Sequence, residues 1–223
     1  MQRTPLRDRV LPSYTRAEEI ANMTTHIAGA VIGVITMILG ISVSLHNDNV
    51  WGLVSSVIYS STVILLFTVS SIYHGLSPSY AKKVMQVIDH STIFFLICGT
   101  YTPILLSCVR VSYPVVAWVV FGCEWGLALF GAVIASIDHK KYSKLTMLCY
   151  IGMGWMVLFA VKPTVMSMGV RGMSLIFVGG VIYTAGAVLY GVGKKKSIYH
   201  TVFHVLVDIA CIIHAYAILT YAL

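Results

Sequence analysis

Charge is what this 223-residue sequence has least of. Only 10% of its residues are Asp, Glu, Lys or Arg, against about 25% in an ordinary soluble domain. Acidic residues are the scarcer sign, 8 against 15 basic ones, for a net charge of +7. The basic residues stand in short clusters between apolar runs. That pattern orients a chain in a membrane and does not make a nucleic-acid surface. Proline is sparse, with 6 in the chain, so long helices can run uninterrupted. The 5 cysteines form no C-x-x-C pair, which removes the common zinc-ribbon and redox motifs and leaves small packing residues. No linker or low-complexity tract divides the chain. The first apolar run follows a charged segment without a clear cleavage site, so a cleavable signal peptide is not expected.

What the sequence has is hydrophobic length: 58% of its residues are apolar. Seven runs approach the roughly 20 residues that span a bilayer, near 24–45, 50–74, 86–109, 114–137, 145–161, 173–192 and 198–221. They are too long and too uniformly apolar for barrel strands. The expected fold is an all-α integral membrane bundle of seven transmembrane helices. Residues 1–23 form a cytoplasmic N-terminal segment and 24–223 the seven-transmembrane domain. One side of the membrane would hold Arg3, Arg7, Arg9, Arg16, Lys82, Lys83, Lys140, Lys141, Lys144, Lys194, Lys195 and Lys196; the other holds only Arg110, Lys162 and Arg171. By the positive-inside rule the N-terminus is cytoplasmic and the C-terminus outside.

This orientation gives each ionisable residue a depth. His74 falls in the last turn of the second helix, and His200 and His204 in the first two turns of the seventh. Asp89 and His26 are expected to open the third and first helices. All then lie in one layer at the cytoplasmic end. Residues four apart share a helix face, so His200 and His204 offer two imidazoles together and His74 a third. Catalytic zinc commonly takes three protein ligands, and it activates water at neutral pH. Asp89 would orient that water or accept its proton. Ser70, one turn before His74, would support the site by hydrogen bonding. The alternative is a set of interfacial histidines facing headgroups, the ordinary reading of any one of them alone.

Motifs along the chain also resemble a known family. Glu19-Ile-Ala-Asn22-Met-Thr-Thr25-His26 is similar to the E-x2-N-x2-T-H opening of the hemolysin III / progestin and adipoQ receptor (PAQR) family. Ser70-x3-His74 resembles its S-x3-H motif. Asp89-His90, followed by Gly99-Thr-Tyr-Thr-Pro103, resembles its third-helix pattern, and His200-x3-His204…His214 its last-helix motif. The short termini resemble the bacterial hemolysin III branch. The resemblance implies a seven-helix bundle in a bacterial inner membrane, with zinc held by His74, His200 and His204 and Asp89 beside the activated water. It implies either ceramidase-like hydrolysis of a lipid amide or ester linked to membrane-lipid homeostasis, or a non-enzymatic sensor or receptor with structural zinc. The hemolysin label adds a pore-forming, ion-translocating alternative. A membrane lipid would be the substrate or ligand.

Other polar residues carry lesser expectations. Glu19 and Asn22, read as preceding the first helix, either cap it or clasp the cytoplasmic mouth near His26. His26 and His90 exceed the ligand count and are expected to hydrogen-bond. His214 lies about 15 Å along the helix from His204, too far to share a metal. Asp208 and Glu124 depart from the family pattern; with His214 they could line a polar cavity or proton path. Tyr73, Tyr80, Tyr142 and Trp51 fit an aromatic belt.

Overall fold

The computed structural model describes residues 4–138, 141–192 and 197–223. Arg3, Lys140, Lys194, Lys195 and Lys196 of the charge argument lie outside them. Among the described residues there is no strand. The helices are α1 (Arg16–His46), α2 (Val50–Gly75), α3 (Tyr80–Pro103), a short α4 (Arg110–Ser112), α5 (Pro114–Asp138), α6 (Ser143–Gly154), α7 (Val161–Val192) and α8 (Ile198–Tyr221). Among the described residues, six helical stretches are long and apolar enough to cross a membrane: Arg16–His46, Val50–Gly75, Tyr80–Ser112, Pro114–Asp138, Ser143–Gly191 and Ile198–Tyr221. The fifth and sixth apolar runs fall in the same 49-residue stretch.

That stretch is not one rod. Gly169 has φ 74° and ψ 167° inside α7, a conformation that essentially only glycine adopts. The Trp155 indole N–H donates to Thr184 Oγ1 at 3.0 Å, and Trp155 packs edge-on against Phe177. A continuous helix would hold residues 155 and 184 about 43 Å apart. The chain therefore folds back between them.

Helix α1 starts eight residues before its apolar run because Thr15 and Glu18 form a capping box: the Glu18 N–H donates to Thr15 Oγ1 at 3.2 Å and the Thr15 N–H to Glu18 Oε2 at 2.8 Å. Glu19 and Asn22 thus lie within α1, not before it. Its buried residues, Asn22, His26, Gly29, Gly33, Thr36, Gly40 and Ser44, recur every three or four positions. This helix turns small and polar groups inward and apolar ones outward, as a lipid-facing helix should. Gly29 and Gly40 let α2 approach: a Cβ on Gly29 would stand 2.6 Å from Phe67, and one on Gly40 2.9 Å from Ser56.

Ser79 caps α3, which therefore begins at Tyr80. Asp89 sits nine residues into α3 and does not open it. Pro103 ends α3, as its missing N–H requires, and a π-helical stretch Ile104–Val109 follows. Tyr73 is 2% exposed and belongs to the interior, not to an aromatic belt.

Candidate metal centre

The last turn of α2 and the first two turns of α8 bring three imidazoles together. His200 Nε2 lies 3.3 Å from His74 Nε2 and 2.9 Å from His204 Nε2. One ligand atom from each of His74, His200 and His204 lies within 4.8 Å of the others, a grouping that could hold a metal ion. Tetrahedral ligands at 2.0–2.1 Å from zinc stand about 3.3 Å apart, so the spacing and the all-imidazole donor set suit such an ion. His74 and His204 are each 2% exposed.

Contacts behind the imidazoles come from other helices. The His74 Nδ1–H donates to Glu19 Oε2 of α1 at 2.6 Å, which leaves its Nε2 free to face the other two rings. The second Glu19 oxygen, Oε1, accepts from Lys82 Nζ of α3 at 2.5 Å. Lys82 also donates to the Leu76 carbonyl at 2.8 Å and lies 5.2 Å from the Tyr73 ring. Glu19 thus bridges His74 of α2 and Lys82 of α3. Asn22 is fully buried, and neither of its side-chain polar atoms has a hydrogen-bond partner.

Ser70 of α2 lies near the Asp89 carboxylate of α3, and Asp89 is within electrostatic reach of His74. His26 stacks on His204 with ring centroids 3.7 Å apart and planes at 19°. Neither of its nitrogens is hydrogen-bonded, so it packs where hydrogen bonding was expected. His90 does hydrogen-bond, through Nδ1 to the Gln86 carbonyl at 2.7 Å and through Nε2 with the Tyr190 hydroxyl at 3.2 Å. His214 donates from Nε2 to the Ile176 carbonyl at 3.0 Å, away from the cluster.

Asp208 and Glu124 go separate ways. Asp208 Oδ1 has no hydrogen-bond partner and lies 2.7 Å from where a Gly29 Cβ would be, at the α1–α8 contact. Glu124 is fully buried on α5 beside Cys98 and Tyr101 of α3, with both oxygens unpartnered. No hydrogen bond links Asp208, His214 and Glu124.

Two residues of the site carry no sequence motif. Tyr14, just before α1, stacks on His200 with centroids 5.0 Å apart and planes at 24°, and meets His74 edge-on at 5.7 Å. Burial is the main cause that pushes its phenol above the ordinary range, so it stays neutral over the site. Lys82 was legible only as a topological charge. Its signal was positional: it stands in the first turn of α3, where a cation opposes the helix dipole unless something else holds it.

An α-helical membrane protein with a three-histidine centre is the class these features define. The family profile of haemolysin-III related proteins matches residues 14–215, and the chain belongs to that family. It is 34% identical over 191 residues to the Hemolysin-3 homolog of Bacillus subtilis (strain 168), covering 86% of this chain and 88% of the relative. Hemolysin-3 of Bacillus cereus is 32% identical over 190 residues, 85% of each. The human Monocyte to macrophage differentiation factor is 29% identical over 233 residues, covering 98% of this chain and 90% of the relative.

Proposed function

We propose that this protein is an intramembrane zinc hydrolase acting on a lipid amide or ester. The observation that carries the reading is the convergence of His74, His200 and His204 on one point, with the Asp89 carboxylate within electrostatic reach of His74. Bound there, zinc supplies Lewis-acid activation of water at neutral pH. Asp89 accepts the proton of the attacking water and returns it to the leaving amine or alkoxide, with Ser70 nearby. Tyr14 and Tyr190 flank His200 with their rings, and the Tyr190 hydroxyl is held by His90. In this reading the chain crosses a bacterial inner membrane seven times, the reversal around Gly169 separating the fifth and sixth crossings. The charge asymmetry supports a cytoplasmic N-terminus, which puts the centre at the cytoplasmic face.

A structural metal in a lipid sensor is the second reading. What favours it is that the cluster and its hydrogen bonds join α1, α2, α3 and α8. Metal analysis of purified protein, beside His200→Ala/His204→Ala, tests both: about one zinc per chain, lost in the variant, is expected. No metal after zinc is supplied refutes both. Asp89→Asn then separates them. Retained zinc with loss of lipid-amide or lipid-ester hydrolysis supports the hydrolase; zinc-loaded wild type with no turnover on either class leaves the sensor.

A further inference from the structure

We propose that Lys82 is a positioning residue for the metal centre, acting through Glu19 on His74. The inference rests on the metal-site reading above and adds to it a residue from a helix that contributes no ligand.

The geometry has three links. Lys82 is 2% exposed, and an ammonium so buried is costly unless its donors are used. Lys82 Nζ donates to Glu19 Oε1 and to the Leu76 carbonyl. The second partner is the residue that ends α2, where a cation suits the helix dipole. The ammonium thus joins the polar end of α2 to α1. The carboxylate it holds has a second oxygen, and that oxygen takes the Nδ1–H of His74 at 2.6 Å.

The consequence follows from imidazole chemistry. A neutral ring carries one N–H. When the Nδ1–H is fixed on a carboxylate, the lone pair is on Nε2, the atom that faces His200 Nε2 at 3.3 Å. Carboxylate–imidazole contacts of this kind fix the tautomer and ring orientation of metal-binding histidines, and their loss typically weakens metal affinity about 10- to 100-fold. Glu19 is a flexible side chain on α1, and the Lys82 ammonium on Oε1 fixes the rotation of its carboxylate while Oε2 meets His74. A purely structural ion pair would need only Oε1. The use of both oxygens, one on the ammonium and one on the imidazole, points to a relay of orientation from α3 to the ligand.

The test is Co2+ affinity of detergent-solubilised full-length protein, read by visible d–d absorption, with helical circular dichroism as the check on folding. Wild type, Lys82→Met, Glu19→Gln and the double variant are compared. Lys82→Met and Glu19→Gln are each expected to bind Co2+ about 10- to 100-fold more weakly. The double variant should bind no more weakly than the poorer single, because both changes break one relay. Wild-type affinity in Lys82→Met overturns the proposal, and so does a double variant whose loss is the product of the two. Should Lys82→Met not fold, Lys82→Gln takes its place, an amide that can still donate to the Leu76 carbonyl but lacks the charge: weaker Co2+ binding than wild type supports the relay, and wild-type affinity overturns it. Failure of wild type to bind either Co2+ or Zn2+ removes the metal-site reading and this inference with it, an outcome distinct from Lys82 alone being dispensable.

Discussion

Gly99 offers a close test of how the bundle holds its site. A Cβ added there would lie 2.1 Å from Thr62 Oγ1 and 3.0 Å from Thr62 Cβ and Cγ2. All three contacts belong to one residue of α2. Its hydroxyl donates to the Tyr59 carbonyl at 2.7 Å, so turning it away costs a buried hydrogen bond, about 0.5–1.5 kcal/mol. Otherwise α2 and α3 must separate. Overpacking of this kind typically costs about 1–3 kcal/mol, and Gly99→Ala is expected in that range. For a chain of this length each kcal/mol lowers Tm by about 2–4 °C. Removing the obstacle should recover part of the loss. Thr62→Ala deletes the Oγ1 and Cγ2 contacts and leaves only the 3.0 Å one, so Gly99→Ala/Thr62→Ala should be more stable than the two single losses added, by about 1 kcal/mol. Thermal unfolding of the four proteins in one detergent measures this. Strict additivity would refute the claim that the α2–α3 distance is set by this pair. The same pair of helices carries His74 and Ser70 on one side and Asp89 on the other, so Gly99→Ala should also depress any activity that needs Asp89.

Three further outcomes are expected. Chelation should lower Tm of the wild type, because zinc at a hundred times its Kd stabilises the folded state by about 2.7 kcal/mol, and should leave His200→Ala/His204→Ala unmoved. Gly169→Ala should cost about 1–3 kcal/mol in the same assay, since φ 74°, ψ 167° suits no side chain. Tyr14→Phe should soften the alkaline loss of stability. The folded state holds the phenol proton more tightly than the ordinary value of 10.0, so this contribution is intact below about pH 10 and falls away as pH rises above it; an unchanged pH profile of Tm for Tyr14→Phe would contradict it.

How much of this was legible in the sequence depended on which residues make contacts along a helix and which make them between helices. The histidine layer could be read because depth follows from run order and charge, and because His200 and His204 share a face by spacing alone. Apolar length understates helix length at α1, which begins at Arg16, ahead of its apolar run. Thr15 and Glu18 start a helix that the hydropathy of Glu19 and Asn22 conceals. The same holds for α3, whose Ser79 cap lies well before its apolar residues and leaves Asp89 inside the helix. Lys82 and Tyr14 escaped because their partners lie elsewhere in sequence: Glu19 is 63 positions from Lys82. Neither hydropathy nor charge counting records such a pair.

The separate placement of the two unexpected acids bears on what else the bundle can do. A path through the membrane needs neighbouring groups that can exchange hydrogen bonds, yet Glu124 is enclosed between α3 and α5 while Asp208 faces Gly29 of α1 one turn beyond His204. The end of the bundle away from the histidines is closed by ordinary polar bonds. Asn49 Nδ2 donates to Ser107 Oγ at 2.8 Å, and the Ser107 hydroxyl donates to the Ala222 carbonyl at 2.6 Å. The two ends are therefore held by different chemistry. At one, buried imidazoles, a carboxylate and an ammonium converge from four helices, an arrangement that is costly unless it binds something. At the other, neutral hydrogen bonds tie α2, the π-helical stretch and the C-terminus at little cost. Substitutions at Asn49 or Ser107 should therefore move stability and leave metal affinity alone, whereas those at Glu19 or Lys82 should move metal affinity more than the neutral end can.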